Sequence, residues 1–272
     1  MLAQRLLVII VLLPLGMLVI HLGGWAYALV VALLMGLAAR EYGGLFRAAG
    51  LQPASALIVI GTLLLVLGRA LDDFNSAPAA TVMIILVSMT YHLLRYEGGR
   101  DQAGTDLSVT LSGILYVGWL GGYLISVRRL PDGEWWTLLV LPAVWLADGG
   151  AFFIGSSYGR HKLSARLSPM KSWEGYLGGV AVGTLSTTLL AALWRIGAGP
   201  QSAITPGAGA LLGFILAAAS PLGDLGESML KRQVGKKDSS NLLPGHGGIF
   251  DRVDSWLWAA PIGYYCIVWF LM

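Results

Sequence analysis

The amino-acid sequence predicts an all-α polytopic integral membrane protein, with about nine transmembrane helices and a polar site at the cytoplasmic interface. Three observations predict it. Hydrophobic residues make up 56% of the 272 and charged residues 12%, against about 25% charged in soluble domains. Mean hydropathy is +0.70. Apolar runs long enough to cross a bilayer, which takes roughly 20 residues, recur along the whole chain, and two long polar inserts interrupt them.

The first run, about 4–22, follows Arg5 and has the outline of a secretory leader. Leu-Gly-Gly-Trp-Ala is a poor cleavage site, however, and a second apolar run follows at once, so the segment reads as a retained helix. A short turn at Gly23-Gly24 joins it to a second helix at about 25–42 as a helical hairpin. Further spans are expected at about 54–71, 78–95, 107–127, 136–155, 175–195, 207–229 and 253–271. No internal repeat and no soluble domain is evident. The chain divides by position into N-terminal transmembrane helices, 1–130, and a C-terminal transmembrane region, 131–272, with polar loops 156–174 and 230–252. The lone cysteine, Cys266, excludes an intramolecular disulfide and a cysteine-built metal site.

Lysine and arginine set the orientation. With nine spans and a cytoplasmic N-terminus, the inner side holds Arg5, Arg40, Arg47, Arg95, Arg100, Arg160, Lys162, Arg166, Lys171, Lys231, Arg232, Lys236, Lys237 and Arg252. The outer side holds Arg69, Arg128, Arg129 and Arg195. Both basic loops then face the cytoplasm. The excess of 18 basic over 15 acidic residues is too small to imply a nucleic-acid partner. Asp72-Asp73 and Asp132/Glu134 read as outer-loop solubilisers, and His21 and His92 as interfacial residues.

The eighth span ends in SPLGDLGESMLKRQ, residues 220–233. At about 100° per residue, Asp224, Glu227, Ser228 and Lys231 share one face of a helix. An exposed Glu227–Lys231 pair would be an ordinary solvated helix end. Asp224, within or just below an apolar run, is costly unless it lines a cavity or a site. The next stretch, KRQVGKKDSSNLLPGHGGIFDRVD, residues 231–254, begins with a basic cluster that anionic lipid alone would attract. It continues into a Pro-Gly-His-Gly-Gly turn, where backbone N–H groups can face an anion. His246 is either a turn residue or a phosphate donor. Asp251 and Asp254, three apart, share a face at the start of the last helix. Carboxylates beside cations and a glycine turn are what a Mg²⁺–polyphosphate site requires.

The other insert runs from Asp148 through glycines at 149, 150, 155 and 159 to Ser168-Pro169-Met170-Lys171-Ser172-Trp173-Glu174-Gly175. The glycines suit close helix packing or a bend. Ser172 reads as an N-cap with Glu174 in the first turn, and Arg160, Lys162, Arg166 and Lys171 add a second basic patch.

These residues resemble the signature of the phosphatidate cytidylyltransferases, or CDP-diacylglycerol synthases. The likeness is carried by Ser228, Lys231-Arg232, Lys237-Asp238, Pro244, His246-Gly247-Gly248, Asp251-Arg252 and Asp254. The earlier Ser168-Pro169, Lys171-Ser172, Glu174-Gly175 and Asp148 are similar too. The resemblance covers the C-terminal half, and nothing functional carries onto the N-terminal helices.

The resemblance implies that CTP and phosphatidate give CDP-diacylglycerol and pyrophosphate, with Mg²⁺ and room for a second metal ion. Asp224 and Asp251 would be the foremost metal ligands, followed by Asp254 and Asp148. Lys171, Lys231, Arg232 and Arg252, with His246, would meet the phosphates in catalysis. Ser168, Ser172, Ser228, Lys237, Gly247 and Gly248 would line the substrates. The expected setting is a bacterial inner membrane, with the active site facing the cytoplasm. A homodimer is compatible with the sequence. The rivals are a CTP-dependent kinase of a membrane alcohol and, outside the enzymes, an anion or metal transporter.

Overall fold

The computed structural model describes residues 13–73, 75–240, 242 and 247–272. Its helices are α1 (Leu13–Leu22), α2 (Gly24–Ala48), α3 (Ser55–Asp72), α4 (Ala77–Glu97), α5 (Ala103–Gly113), α6 (Tyr123–Arg129), α7 (Gly133–Tyr158), α8 (Trp173–Ala198), α9 (Pro206–Gln233) and α10 (Phe250–Phe270). A π-helical segment, Ile114–Trp119, lies between α5 and α6. Seven described spans are long and apolar enough to cross a membrane, counting Ala103–Arg129 as one. Helices prevail because a segment in lipid must satisfy its backbone within itself. The expected first span is described only from residue 13, and Gly23 alone separates α1 from α2, with both Gly23 and Gly24 at positive φ.

One departure from an all-helical chain lies in the expected loop 156–174. Strands β1 (Lys162–Ser164) and β2 (Ser168–Ser172) pair antiparallel, with Lys162 opposite Ser172 and Ser164 opposite Ser168. Strands this short carry no readable alternation of polar and apolar residues.

The chain forms two compact units. The first comprises the described residues of Met1–Ser126 together with Leu230–Val253. Here Gly113 and Gly118 let the α5–π stretch approach α2 and α3: added β-carbons would lie 2.7 Å from a Tyr42 ring carbon and 2.7 Å from the Thr62 Cα. His92, expected at a membrane interface, faces the protein interior in this unit. It is buried, with Nε2 3.0 Å from Thr110 Oγ1, because α4 turns it inward toward a polar partner on α5.

The second unit comprises Val127–Met229 and Asp254–Met272. Its core joins α7, α9 and α10 through Trp136, Leu139, Val144, Leu212, Leu216 and Ile267. Small residues let α8 lie against α7: a β-carbon on Gly179 would meet the Ala147 carbonyl at 2.8 Å, and one on Gly150 would meet Val182 at 2.5 Å. Such small-residue faces suit helices in lipid, where packing rather than apolar burial drives association.

Candidate active site

In the second unit, α9 carries Asp224, Glu227 and Ser228 of the expected face, while Lys231, its fourth member, belongs to the first unit. Asp224, Glu227 and Asp254 each bring one carboxylate oxygen within 4.8 Å of the others. Glu227 is 1% exposed and Asp254 9%. Gly223 permits the arrangement, since a β-carbon there would lie 2.9 Å from the Asp254 carbonyl oxygen and 2.9 Å from Trp258 Cδ1. Pro221 interrupts the α9 ladder just before it, and Tyr176 Oη donates to the Ala218 carbonyl at 3.1 Å.

Lys171, on β2, forms an ion pair with Asp224, and Ser228 Oγ donates to the other Asp224 oxygen at 3.3 Å. Asp148, exposed on α7, is within electrostatic reach of Lys171 and Asp224. Three carboxyl groups so close require positive charge or protons among them. Mg²⁺ takes oxygens at about 2.0–2.1 Å, hence ~4.2 Å between opposite ligands. Oxygens within 4.8 Å of one another therefore fit one divalent cation after small rotations.

Ser172 caps α8, accepting from Gly175 N at 3.1 Å. Glu174 closes the base of the hairpin: Oε2 accepts from the backbone of Arg160 at 3.1 Å and of His161 at 3.2 Å, and Oε1 lies 2.5 Å from His161 Nδ1. Ser168 stands at the other end of β2, opposite Ser164. The hairpin is thus the device that holds Lys171 in place.

In the first unit, Asp251 is surrounded by donors. Lys231 Nζ donates to Oδ1 at 2.7 Å. Oδ2 accepts from Gly248 N at 2.8 Å, Ser239 Oγ at 2.8 Å and Ser239 N at 3.0 Å. Gly247 adopts φ 76°, and a β-carbon on it would lie 2.7 Å from Asp251 Oδ2, so both its dihedral and its surroundings call for glycine. Arg232, Lys237 and Arg252 are exposed, and Arg232 donates to the Lys236 carbonyl at 3.1 Å. His246 lies outside the described residues.

Asp251 and Asp254, paired by spacing in the sequence, thus have different partners: donors surround Asp251, while Asp254 joins two other acids. Glu227 belongs with the acids. Its signal was present in the α9 periodicity, where a single Glu227–Lys231 pair competed with it. Ser220, one turn before Asp224, is buried with its Oγ lacking a hydrogen-bond partner among the described residues.

Fold and site define a class: a polytopic helical membrane protein that gathers acids and cations on polar helix ends and a polar hairpin. A family model described as the Cytidylyltransferase family matches residues 3–270, and the chain belongs to that family. It is 34% identical to the phosphatidate cytidylyltransferase of Synechocystis sp. over 97% of this chain and 96% of that one. To the phosphatidate cytidylyltransferase of Pseudomonas aeruginosa it is 36% identical, over 99% and 97%. The Bacillus subtilis protein of the same name is 34% identical over 73% and 71%.

Proposed function

We propose that this chain transfers the cytidylyl group of CTP to phosphatidate, giving CDP-diacylglycerol and pyrophosphate. A phosphatidate phosphate oxygen attacks the α-phosphorus of CTP in line, forming the new P–O bond. The bond from the α-phosphorus to the bridging oxygen breaks, and pyrophosphate leaves with that electron pair. The nucleophile is already anionic, so no strong general base is needed. The barrier lies in bringing two anions together, which fixed positive charge lowers.

Family membership combined with the three-acid cluster beside Lys171 is the observation that carries this reading. Asp224, Glu227 and Asp254 would hold Mg²⁺, with Asp148 as a further carboxylate. A bound divalent cation would neutralise triphosphate charge and orient the α-phosphorus. Lys171, tethered through Asp224, would add charge on the same side. Lys231, Arg232, Arg252 and His246 keep their role as phosphate contacts on the strength of the sequence signature. Asp251 was expected as a leading metal ligand; its shell of donors supports a different use, holding Lys231 and the glycine turn. Ser168, Ser228 and Lys237 remain substrate contacts, while Ser172 also has a capping task.

We infer that α1 and α10 complete nine spans, and that the basic inserts face the cytoplasm, where a soluble nucleotide meets a lipid in the inner leaflet. The test uses purified protein with phosphatidate, Mg²⁺ and CTP labelled at the α- or the γ-phosphate. Label from the α-phosphate alone should enter the lipid. Entry of the γ-label would mean a lipid-alcohol kinase instead, and absence of both labels would leave transport as the better reading.

A further inference from the structure

The N-terminal half of the sequence offered no site residue, yet one of its carboxylates reaches the polar insert within the first unit. Glu41, near the end of α2, is 8% exposed. Its Oε1 accepts from Ser240 Oγ at 2.6 Å. Its Oε2 accepts from Phe250 N at 2.8 Å and shares the single Ser239 hydroxyl proton, with Oγ 3.1 Å away, with Asp251 Oδ2. These partners lie 198 to 209 residues away along the chain.

The three bonds grip both ends of one excursion. Ser239 and Ser240 are its entry and Phe250, the first residue of α10, its exit. The Phe250 amide belongs to a helix N-terminus, where a carboxylate is favoured. The Phe250 ring is fully buried, edge-on to Tyr42 with centroids 5.8 Å apart and to Tyr116 at 6.2 Å. Gly248 leaves room for the grip: a β-carbon there would collide with Ser239 Oγ and Glu41 Oε2. Ser239 Oγ also lies 2.8 Å from Asp251 Oδ2, and Asp251 holds Lys231. A continuous polar chain therefore runs from Glu41 through Ser239 and Asp251 to the Lys231 ammonium.

We propose that Glu41 is a positioning residue for cytidylyl transfer: it staples the base of the glycine-rich insert and, through Ser239, orients Asp251 and Lys231. The inference rests on the proposed role of Lys231 as a phosphate contact. Glutamine is the discriminating substitution. It keeps the volume of glutamate, but its NH₂ group would face a donor that the carboxylate accepts. Because the staple acts on charge stabilisation in the transition state more than on ground-state binding, kcat should respond more than KM.

The experiment compares wild type, Glu41→Gln, Ser239→Ala and the double variant, purified in detergent. Hydrogen–deuterium exchange of peptides covering 230–253 is measured without substrate, and kcat and KM for CTP are measured with α-labelled nucleotide. Glu41→Gln should speed exchange across 239–250 while α3 and α4 stay as protected as in wild type. It should also lower kcat at least tenfold, with KM changed less than threefold. Ser239→Ala should act in the same direction, and the double variant should be within about twofold of Glu41→Gln, as expected of groups on one path.

Unchanged exchange at 239–250 would overturn the staple. Faster exchange with kcat and KM within twofold of wild type would reduce Glu41 to a helix cap and overturn its positioning role. Multiplying effects in the double variant would overturn the path through Ser239. Should Glu41→Gln fail to fold, Ser239→Ala, which leaves the Phe250 bond in place, decides the matter by the same two measurements. Wild-type protein that transfers no α-label would overturn the reaction and with it the role of Lys231; the exchange arm would still register the staple.

Discussion

Lys231 Nζ and Asp251 Oδ1 lie 2.7 Å apart, with side chains only 10% and 8% exposed. Removing one partner of a buried pair leaves the other charge uncompensated, at a cost of about 3–5 kcal/mol. Lys231→Met should therefore lower the unfolding midpoint in detergent sharply. Adding Asp251→Asn should restore part of that loss, because the stranded charge is gone while an oxygen remains to accept from Gly248 N and Ser239. Both proteins should be inactive. A double variant less stable than either single one would contradict the pairing.

The acid cluster makes a separate prediction. Asp224→Asn, Glu227→Gln and Asp254→Asn each keep the side-chain volume and lose one negative charge. Each should reduce turnover about 10²-fold or more, by analogy with loss of a single electrostatic stabiliser, and raise the Mg²⁺ concentration needed for half-maximal rate. Asp72→Asn should behave as wild type, since Asp72 lies outside the acid cluster and its Oδ2 accepts from Ser76 N at 2.9 Å in an exposed turn. Size-exclusion profiles in detergent check the fold. Near-normal turnover at low Mg²⁺ in one of the three would remove that residue from the metal set.

Gly223 tests whether the geometry of the cluster matters apart from its charge. Gly223→Ala introduces no charge and favours helix locally by about 1 kcal/mol. Its β-carbon would nevertheless press on the Asp254 carbonyl and on Trp258. The expected result is unchanged helicity by circular dichroism, with turnover reduced at least tenfold. Full activity would show that α9 and α10 tolerate separation at this point.

Orientation is testable with single cysteines in a Cys266→Ser background. Ala165→Cys and Asp238→Cys should resist a membrane-impermeant thiol reagent in intact cells and react after permeabilisation. Asp73→Cys and Asp132→Cys should react from outside. Ready labelling of the first pair from outside would invert the topology.

Several features of this protein were determined by the sequence alone. The helical segments were legible because, in lipid, backbone bonding and hydropathy are properties of each segment by itself. The shared face of Asp224, Glu227 and Ser228 was legible because a 3.6-residue period places them together. The Ser172 cap was legible because a cap bonds to an amide only three residues away. Other features were decided by tertiary structure. Spacing made Asp251 and Asp254 a pair, and packing gave them different neighbours. The glycines at 247 and 248 read as an approach for phosphate, yet one wraps Asp251 and the other clears space for Glu41. Glu41 itself sat unremarked in an apolar helix, because the serines and the helix start that it binds are some 200 residues distant. No local period or motif encodes a contact of that range; it exists only once the chain has brought α2 and the polar insert together.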